Sequence, residues 1–383
     1  MRTLRLATAL VVLLAATAPA RADHPVTRAG GLLTRVTPLV EEVCGANFEK
    51  APTVKELSVP EAMALFAKDV RPQLERKYKG VTPGQMRFIM RQAAVNSVQS
   101  CVARYSVTGK TIVLVRAGFD RQCRALSIPR EQIEAFLTFA LAHECVHALD
   151  DARFDLGKLF RESADEEALR AVNMVVEGRG THFGDLVAAR LRVPPEIRAH
   201  VPGGAAPSGE HEWLLALSTR FGRAFVADLL KRGGRNLADR ALREPPAVTH
   251  LVCQPGRWPD ARRSKLTRAN QKALTAFGAP ATATRMSELL LRVRYTCLHG
   301  PATARTLFGG YRDGVQVVVG TSNVAVLEFA DAAGARRYAE RSRRERMTLV
   351  RWREGDRAVL RVSGKDSAEV MARLRKAAKI RLR

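Results

Sequence analysis

The stretch Phe136–Leu156, FLTFALAHECVHALDDARFDL, constrains this chain more than any other part of its sequence. Its Leu, Ala and Phe content predicts a helix. Two histidines in it, His143 and His147, are four residues apart, and side chains at that spacing lie on one face of a helix. Two imidazoles on one face can hold one zinc ion, while the adjacent Glu144 can orient a water molecule without being a ligand. The motif therefore predicts the centre of a metal hydrolase.

The neighbouring residues favour a metal site over a structural role for the two histidines. The alternative is a core helix that carries two unrelated histidines. The apolar run that precedes His143 predicts that the helix is buried. Buried imidazoles and a buried carboxylate need partners, and a metal ion supplies one. We therefore expect a bound Zn²⁺.

The N-terminus predicts export. Residues 1–22 begin MRTLR, continue LATALVVLLAATAPA and end in an A-x-A pattern, which is typical of a secretory signal peptide. A membrane anchor is the alternative, but the apolar run is shorter than the ~20 residues that a span needs. No later segment has 18 uninterrupted apolar residues. We expect a secreted or periplasmic protein with no transmembrane span after signal removal.

The chain is strongly basic. Its formal net charge is +25, and three arginines with no acid lie in the signal region, so the mature chain keeps 25 − 3 = +22. Such a charge favours contact with anionic surfaces. The basic residues are spread along the chain and form no Lys/Arg-rich block interleaved with aromatic residues, so we expect no nucleic-acid partner.

The six cysteines are also typical of an oxidising compartment. Cys145 lies between the two histidines and points away from their face, so we interpret it as a buried thiol. Six cysteines allow 15 connectivities and the sequence does not choose among them, but a disulfide between Cys253 and Cys297 is one pairing that we expect. A second pair is expected within the group Cys44, Cys101 and Cys123.

The overall pattern predicts an α+β fold that is mostly helical. Residues 23–108 read as helices, with capping boxes at Ser58–Glu61 and Thr82–Gln85. The run TIVLV at 111–115 predicts a strand, which either pairs with an extended substrate or belongs to the core. Ser163–Glu166 predicts another capping box. Strands alternate with helices from about residue 286 onwards, which predicts a small α+β domain over 286–383.

The third zinc ligand is not fixed by spacing alone. A catalytic zinc takes three protein ligands and keeps one position for water. Glu166 and Glu167 lie 19 and 20 residues beyond His147, and Glu177 lies 30 residues beyond it. The first two are also what the first turn of a helix favours, because acids there interact well with the helix dipole.

Two segments together resemble a known family. The runs LAHECVHALDDARFDL and VNMVVEGRGTHF resemble the secreted bacterial HExxH metallopeptidase-like proteins of the gluzincin group, whose pattern is HExxHALxDQxFDL followed by AxxxLVEGxA. The resemblance implies that Glu177 is the third ligand and that residues 109–280 form a zincin-like metallopeptidase core. The runs STRFGRAFVADLLKRGG and REPPAVTHLVCQPGRW are similar to the family's YxYGxxF helix and PPxSTEQxLHP turn.

The sequence departs from that family at several positions. Phe221 stands where the family often has Tyr, His250 where it commonly has an acid, and Gln254 where it has His. Asp150 replaces the usual Gln, and Gly180 replaces a small Ala. If a lost His or Tyr stabilised the oxyanion, catalysis is weaker or uses another donor.

The leading hypothesis is an exported zinc-dependent metallopeptidase that acts on peptide or protein substrates through a zinc-activated water, with Glu144 as general base. Asp151 is a candidate to orient an imidazole N–H, and His182 a candidate to approach the cleft or donate to the oxyanion. The alternative is a catalytically weak or inactive zincin-fold protein that binds an anionic envelope polymer or a protein partner. A third possibility makes the C-terminal α+β part the working module.

Overall fold

The computed structural model describes residues 24–78, 81–100, 102–199, 210–259, 284–285, 287–308, 311–319, 322–345, 348–351 and 356–377. The predicted signal peptide lies outside these residues. The described chain is mostly helical with two small sheets, as the α+β prediction requires. None of its described helices is both long and apolar enough to cross a membrane.

Helices and strands alternate in an irregular order. In the first part of the chain, as far as residue 253, the elements are α1 Ala29–Cys44, β1 Val54–Glu56, α2 Val59–Lys77, α3 Pro83–Ser100, β2 Ala103–Ser106, β3 Thr111–Leu114, α4 Arg116–Ala125, α5 Ile133–Phe154, α6 Leu156–Glu162, α7 Glu166–Arg190, α8 Pro195–Arg198, α9 Glu210–Arg243 and α10 Thr249–Cys253. The remaining elements are β4 Thr284–Arg285, α11 Glu288–His299, α12 Pro301–Phe308, β5 Tyr311–Val319, β6 Ser322–Phe329, α13 Ala332–Ser342, β7 Thr348–Arg351, β8 Ala358–Gly364 and α14 Ser367–Ala377.

Helix α5 lies at the centre of the core. It is buried on almost every side because α1 and β2 pack against it as well as α7. This explains why its apolar residues do not form a single stripe. The helix ends at Asp155, which adopts a left-handed conformation (φ 50°) and whose carboxylate then accepts the backbone N–H of Lys158 to cap α6.

Glycines allow α7 to pack closely against α9. A Cβ built on Gly178 would lie 2.2 Å from the carbonyl carbon of Gly222, and one built on Gly222 would lie 1.9 Å from the carbonyl oxygen of Met174. Since real Cβ atoms do not approach backbone this closely, only glycine fits at either position. The two backbones are therefore in direct contact. This contact fixes the position of α7 between α5 and α9.

The first sheet is small and lies beside α5. Its strand order is β1-β3-β2, with β3 parallel to β1 and antiparallel to β2. All four residues of β3 are buried. Of the two roles predicted for residues 111–115, the core strand is therefore confirmed and the substrate-pairing edge strand is wrong. The edge next to α5 belongs to β2.

The second sheet has the antiparallel order β4-β5-β6-β8-β7. Its β5, β6, β7 and β8 and the helices α13 and α14 appear where the alternating pattern of the sequence predicts strands and helices. A cluster of aromatic rings fills the core of this part. The rings belong to Tyr295, Phe308, Tyr311, Phe329 and Tyr338.

Hydrogen bonds at the helix starts test the predicted capping boxes. The boxes at Ser58–Glu61 and Thr82–Gln85 are confirmed. In both, each residue of the pair donates its backbone N–H to the side-chain oxygen of the other. The box predicted at Ser163 is wrong. Helix α7 is capped by Asp165, whose carboxylate accepts the N–H of Ala168 at 2.8 Å.

The predicted disulfides are wrong. Cys253 is a free thiol and so does not pair with Cys297. Cys44 and Cys123 are free thiols as well, and Cys101 lies outside the described residues, so no pair forms within the predicted group of three. Cys44 and Cys123 are buried in the hydrophobic core, where a thiol packs as a small apolar group. Cys145 is a buried thiol, as predicted.

Candidate metal centre

Three predicted ligands converge between α5 and α7. The Nε2 atoms of His143 and His147 are 2.8 Å apart, because the two residues are one helical turn apart on α5. The Glu177 carboxylate comes from α7, with its oxygens 3.4 Å from Nε2 of His143 and 3.9 Å from Nε2 of His147. The imidazoles are buried, whereas the Glu177 side chain keeps 41% of its surface exposed. One side of the cluster is therefore open to the solvent.

Glycines of α7 make room for the two imidazoles. A Cβ on Gly180 would lie 2.6 Å from Cε1 of His147 and 2.8 Å from Cε1 of His143, and a Cβ on Gly184 would lie 3.1 Å from the His143 backbone. The departure at Gly180 from the small Ala of the resembling family therefore has a structural explanation. Here α7 lies so close to α5 that even a methyl group would displace the rings.

Glu144 is held beside the cluster by the edge strand β2. Its Oε2 accepts the backbone N–H of Tyr105 at 2.7 Å, while its Oε1 lies 4.0 Å from Nε2 of His143. Burial raises the pKa of Glu144 to about 7, although the neighbouring His143 acts in the opposite direction. A carboxyl group with this pKa exchanges protons readily near neutral pH.

The electrostatics of the three converging groups are coupled. Burial lowers the pKa of His147 to about 3, and the charge of His143 adds to this effect. The partial burial of Glu177 opposes its ionisation, but its hydrogen bond with His143 and the charges of both imidazoles lower its pKa to about 2. Burial also disfavours protonated His143, but Glu177 and Glu144 outweigh it and raise the pKa of His143. His147 is therefore neutral and Glu177 is ionised, and these are the protonation states in which the two side chains can bind a metal.

The donor atoms fit one zinc ion. Two imidazole nitrogens and a carboxylate oxygen are a ligand set that zinc accepts in catalytic sites. At metal–ligand distances of about 2.1 Å, tetrahedral donors lie about 3.4 Å from one another. The observed separations lie on both sides of this value, at 2.8 Å between the two Nε2 atoms, 3.4 Å from Nε2 of His143 to Oε2 of Glu177, and 3.9 Å from Nε2 of His147 to the other carboxylate oxygen, Oε1. The Nδ1 atoms of both imidazoles are buried and have no hydrogen-bond partner among the residues that the structure describes.

Asp151 does not orient an imidazole, so that prediction is wrong. Its carboxylate accepts hydrogen bonds from Tyr105 Oη at 2.7 Å, from Lys110 Nζ at 2.6 Å and from the backbone N–H of Leu156 at 2.9 Å. The side chain is fully buried. Asp151 therefore fixes Tyr105, whose backbone in turn holds Glu144. Asp151 thus contributes to the position of Glu144, the general-base candidate, and not to that of the two histidines.

His182 lies away from the cluster. It is five residues beyond Glu177 on α7, which rotates it by roughly 140° from that side chain. Its ring packs edge-on against Phe183. Burial and the charge of Arg223 lower the pKa of His182. This position does not fit the oxyanion role predicted from the sequence.

A buried ion pair joins the two helices of the site. Asp150, the departure from Gln, accepts two hydrogen bonds from Arg179, at 2.8 Å from Nε and 2.7 Å from Nη2. Arg179 also lies 3.1 Å from Asp239 of α9, which pairs with Arg153 at 2.6 Å. Since Arg179 is two residues from Glu177 on α7, this ion pair fixes the position of the Glu177 carboxylate along the helix relative to the two histidines.

The fallback ligands do not reach the cluster. Glu166 pairs with Arg170 at 2.9 Å. Glu167 is buried, and its Oε1 accepts both the backbone N–H and the hydroxyl of Thr249 at 2.7 and 2.6 Å. It therefore joins α7 to α10 and is not available to a metal at the histidines.

The other departures from the family lie at the junction with the C-terminal part. Gln254 donates to Glu288 at 3.1 Å and to the backbone carbonyl of Tyr311 at 2.8 Å. His250 packs its ring against that of Tyr311, and Phe221 lies under the guanidinium of Arg292. All three side chains have structural contacts in this chain.

The cluster opens into a cleft of about 610 Å³. Its walls come from α2, β2, α6, α7 and α9 in addition to α5. Two residues that line the cleft, Arg104 and Tyr105, were not predicted from the sequence. Strand β2 is only four residues long and has no pattern that distinguishes it, so no signal in the sequence could have identified either.

Comparisons with known proteins leave the family open. No family model matches the chain, and no curated protein matches it. Among solved structures, the chain is similar to a crystal structure of a candidate hydrolase with a novel fold from Chloroflexus aurantiacus. The TM-score is 0.47 and the identity 16%, over 63% of this chain and 91% of that chain. A likeness of this size assigns no function.

Proposed function

We propose that this chain is a zinc-dependent peptide hydrolase. In this proposal His143, His147 and Glu177 hold the metal and Glu144 is the general base. The observation that carries the proposal is the convergence of these four side chains at one cleft, with donor separations suited to a single zinc ion. The resemblance to the gluzincin group supports peptide or protein as the substrate class.

In this proposal, Glu144, Tyr105 and Asp151 have separate roles in hydrolysis. When bound, zinc supplies positive charge that makes a water molecule more acidic and polarises a carbonyl group. Glu144, whose pKa is raised to about 7, accepts a proton and then passes it to the leaving amine. The Tyr105 N–H holds one carboxylate oxygen and leaves Oε1 directed towards the histidines. The buried Asp151 keeps Tyr105 in place.

We also propose that the protein is exported, and this part of the proposal is supported by the N-terminal segment alone. The predicted signal peptide at 1–22 implies a secreted or periplasmic protein. The cysteines do not support export, because Cys44, Cys123, Cys145 and Cys253 are free thiols.

The substitution Glu144→Gln tests the proposal. Glutamine keeps an oxygen that can accept the Tyr105 N–H, and Glu144 is not a metal ligand in this proposal, so we expect the zinc content to stay unchanged. Glutamine cannot take up a proton, however. We expect kcat/KM on a fluorogenic peptide library to fall by about 10²–10⁴-fold. Glu134→Gln is the matched control, since Glu134 is on the same helix but pairs with Arg28 at the surface. This control should keep full activity.

Three results would count against the proposal. One is zinc-loaded wild type that cleaves no peptide, which would favour the alternative of a binding protein. Another is Glu144→Gln that is as active as the wild type. The third is activity that a chelator does not remove.

A further inference from the structure

Arg104 lies on the edge strand β2, directly before Tyr105. Neighbouring side chains of a strand point to opposite faces. The Tyr105 side chain goes to Asp151, whereas Arg104 lies on the other face and lines the same cleft as the three metal-ligand candidates. Arg104 is partly exposed, so its guanidinium can be reached from the cleft.

An aromatic ring, and not an acid, holds the Arg104 guanidinium. Its central carbon lies 4.8 Å from the centroid of the Phe66 ring, which is fully buried in α2. No carboxylate of a described residue forms an ion pair with it. Arg170, which lines the same cleft, differs because it pairs with Glu166 at 2.9 Å. Stacking fixes the plane of the Arg104 guanidinium and leaves its N–H groups available.

The acids of the cleft already have partners. Glu177 faces the imidazoles, and Glu144 accepts the Tyr105 N–H. Asp69 accepts hydrogen bonds from the Ser106 hydroxyl and the Thr108 backbone. Four cationic side chains line the cleft against three carboxylates, namely Lys68, Arg104, Arg161 and Arg170 against Asp69, Glu144 and Glu177. Glu166 offsets the charge of Arg170, so a carboxylate that a ligand brings would meet the guanidinium of Arg104 rather than that of Arg170.

We propose that Arg104 binds a carboxylate of the peptide substrate, which belongs either to an acidic side chain or to the C-terminus. A planar guanidinium matches a carboxylate with two parallel hydrogen bonds, and a stacked arginine loses little freedom in making them. Arg104 is thus a specificity-determining residue. The proposal rests on the proposed function for the choice of a peptide ligand, but binding tests it without turnover.

The experiment measures binding to the zinc-loaded Glu144→Gln chain by fluorescence anisotropy. Three dye-labelled degenerate decapeptide pools are compared. The first has a central Glu and an amidated C-terminus, the second has Gln in that position and an amidated C-terminus, and the third has Gln and a free C-terminal carboxylate. We expect one acidic pool to bind about 10- to 100-fold more tightly than the neutral pool. The acidic pool that binds identifies the carboxylate as a side chain or a chain end.

Substitutions then assign the preference to Arg104. We expect Arg104→Gln, in the same Glu144→Gln background, to reduce the preference to less than about threefold. Arg170→Gln is the matched control and should leave it unchanged, because Arg170 already has an acidic partner. If Arg104→Gln does not fold, as judged by circular dichroism and zinc content, Arg104→Lys replaces it. Lysine keeps the charge but loses the planar fork, so we expect the preference to fall at least about threefold.

Two outcomes would overturn this proposal. One is equal binding of all three pools, and the other is a preference that survives the loss of the Arg104 guanidinium. The proposed hydrolase function fails by a different result, which is the absence of cleavage by the chain that retains Glu144.

Discussion

The substitution Arg179→Met is expected to destabilise the protein strongly. Arg179 is completely buried, and both oxygens of the equally buried Asp150 accept hydrogen bonds from it. Methionine keeps much of the side-chain volume but leaves Asp150 as an unpaired buried charge. Breaking a buried ion pair in this way costs about 3–5 kcal/mol. Asp239 adds little to this cost, because it keeps Arg153 at 2.6 Å.

Urea unfolding at pH 7, followed by circular dichroism, measures this cost. The double variant Asp150→Leu with Arg179→Met removes both charges, so we expect it to recover at least about half of the lost free energy of unfolding. Arg240→Gln is the control on an exposed pair, since Arg240 contacts Glu244 at the surface. That change should cost less than about 1 kcal/mol.

Two results would refute this reasoning. A loss below about 1 kcal/mol for Arg179→Met would mean that the pair is not desolvated as its burial implies. A double variant as unstable as the single one would mean that shape, rather than the unpaired charge of Asp150, determines the cost.

Two further variants test the packing and the buried charges. Gly180→Ala places a methyl group 2.6 Å from the His147 ring, so we expect zinc affinity, measured by chelator competition, to fall by about tenfold or more; Gly31→Ala, in open space on α1, should leave it unchanged. Burial raises the pKa of Glu288 from 4.5 to about 7. The protonated carboxyl group therefore stabilises the folded state at low pH, and this contribution is lost as the pH rises through 7. Between pH 5 and pH 8, the free energy of unfolding measured with urea should therefore fall by up to about 3 kcal/mol more in wild type than in Glu288→Gln. Equal zinc affinity in the Gly180 variant, or equal pH dependence with and without Glu288, would contradict these expectations.

Local patterns in the sequence predicted the parts of the fold that depend on nearby residues. The spacing of His143 and His147 depends only on helix geometry, and the caps at Ser58 and Thr82 involve residues three positions apart. The strands and helices of the C-terminal part follow from alternating apolar residues. The convergence of Glu177 with the histidines was expected from the resemblance, since spacing alone left Glu166 and Glu167 open.

Contacts between distant segments could not be predicted in this way. Tyr105 meets Glu144 across 39 residues, and Arg179 meets Asp150 across 29, so neither contact leaves a local signal. The disulfide predictions failed for the same reason, because cysteine counts do not show which thiols the core encloses. One local signal of such a contact is present in the sequence. The glycines of GRGTHFG, inside a helix, marked the faces of α7 that touch α5 and α9.

Zinc binding by the purified chain tests the central claim most directly. Zinc content by mass spectrometry, with affinity from chelator competition, is compared for wild type, His147→Gln and Glu177→Gln. We expect one zinc ion per wild-type chain, no retained zinc in the His147 variant, and an affinity lower by about 10–100-fold in the Glu177 variant. Wild type that binds no zinc, or a Glu177 variant that binds it as tightly as wild type, would contradict the account.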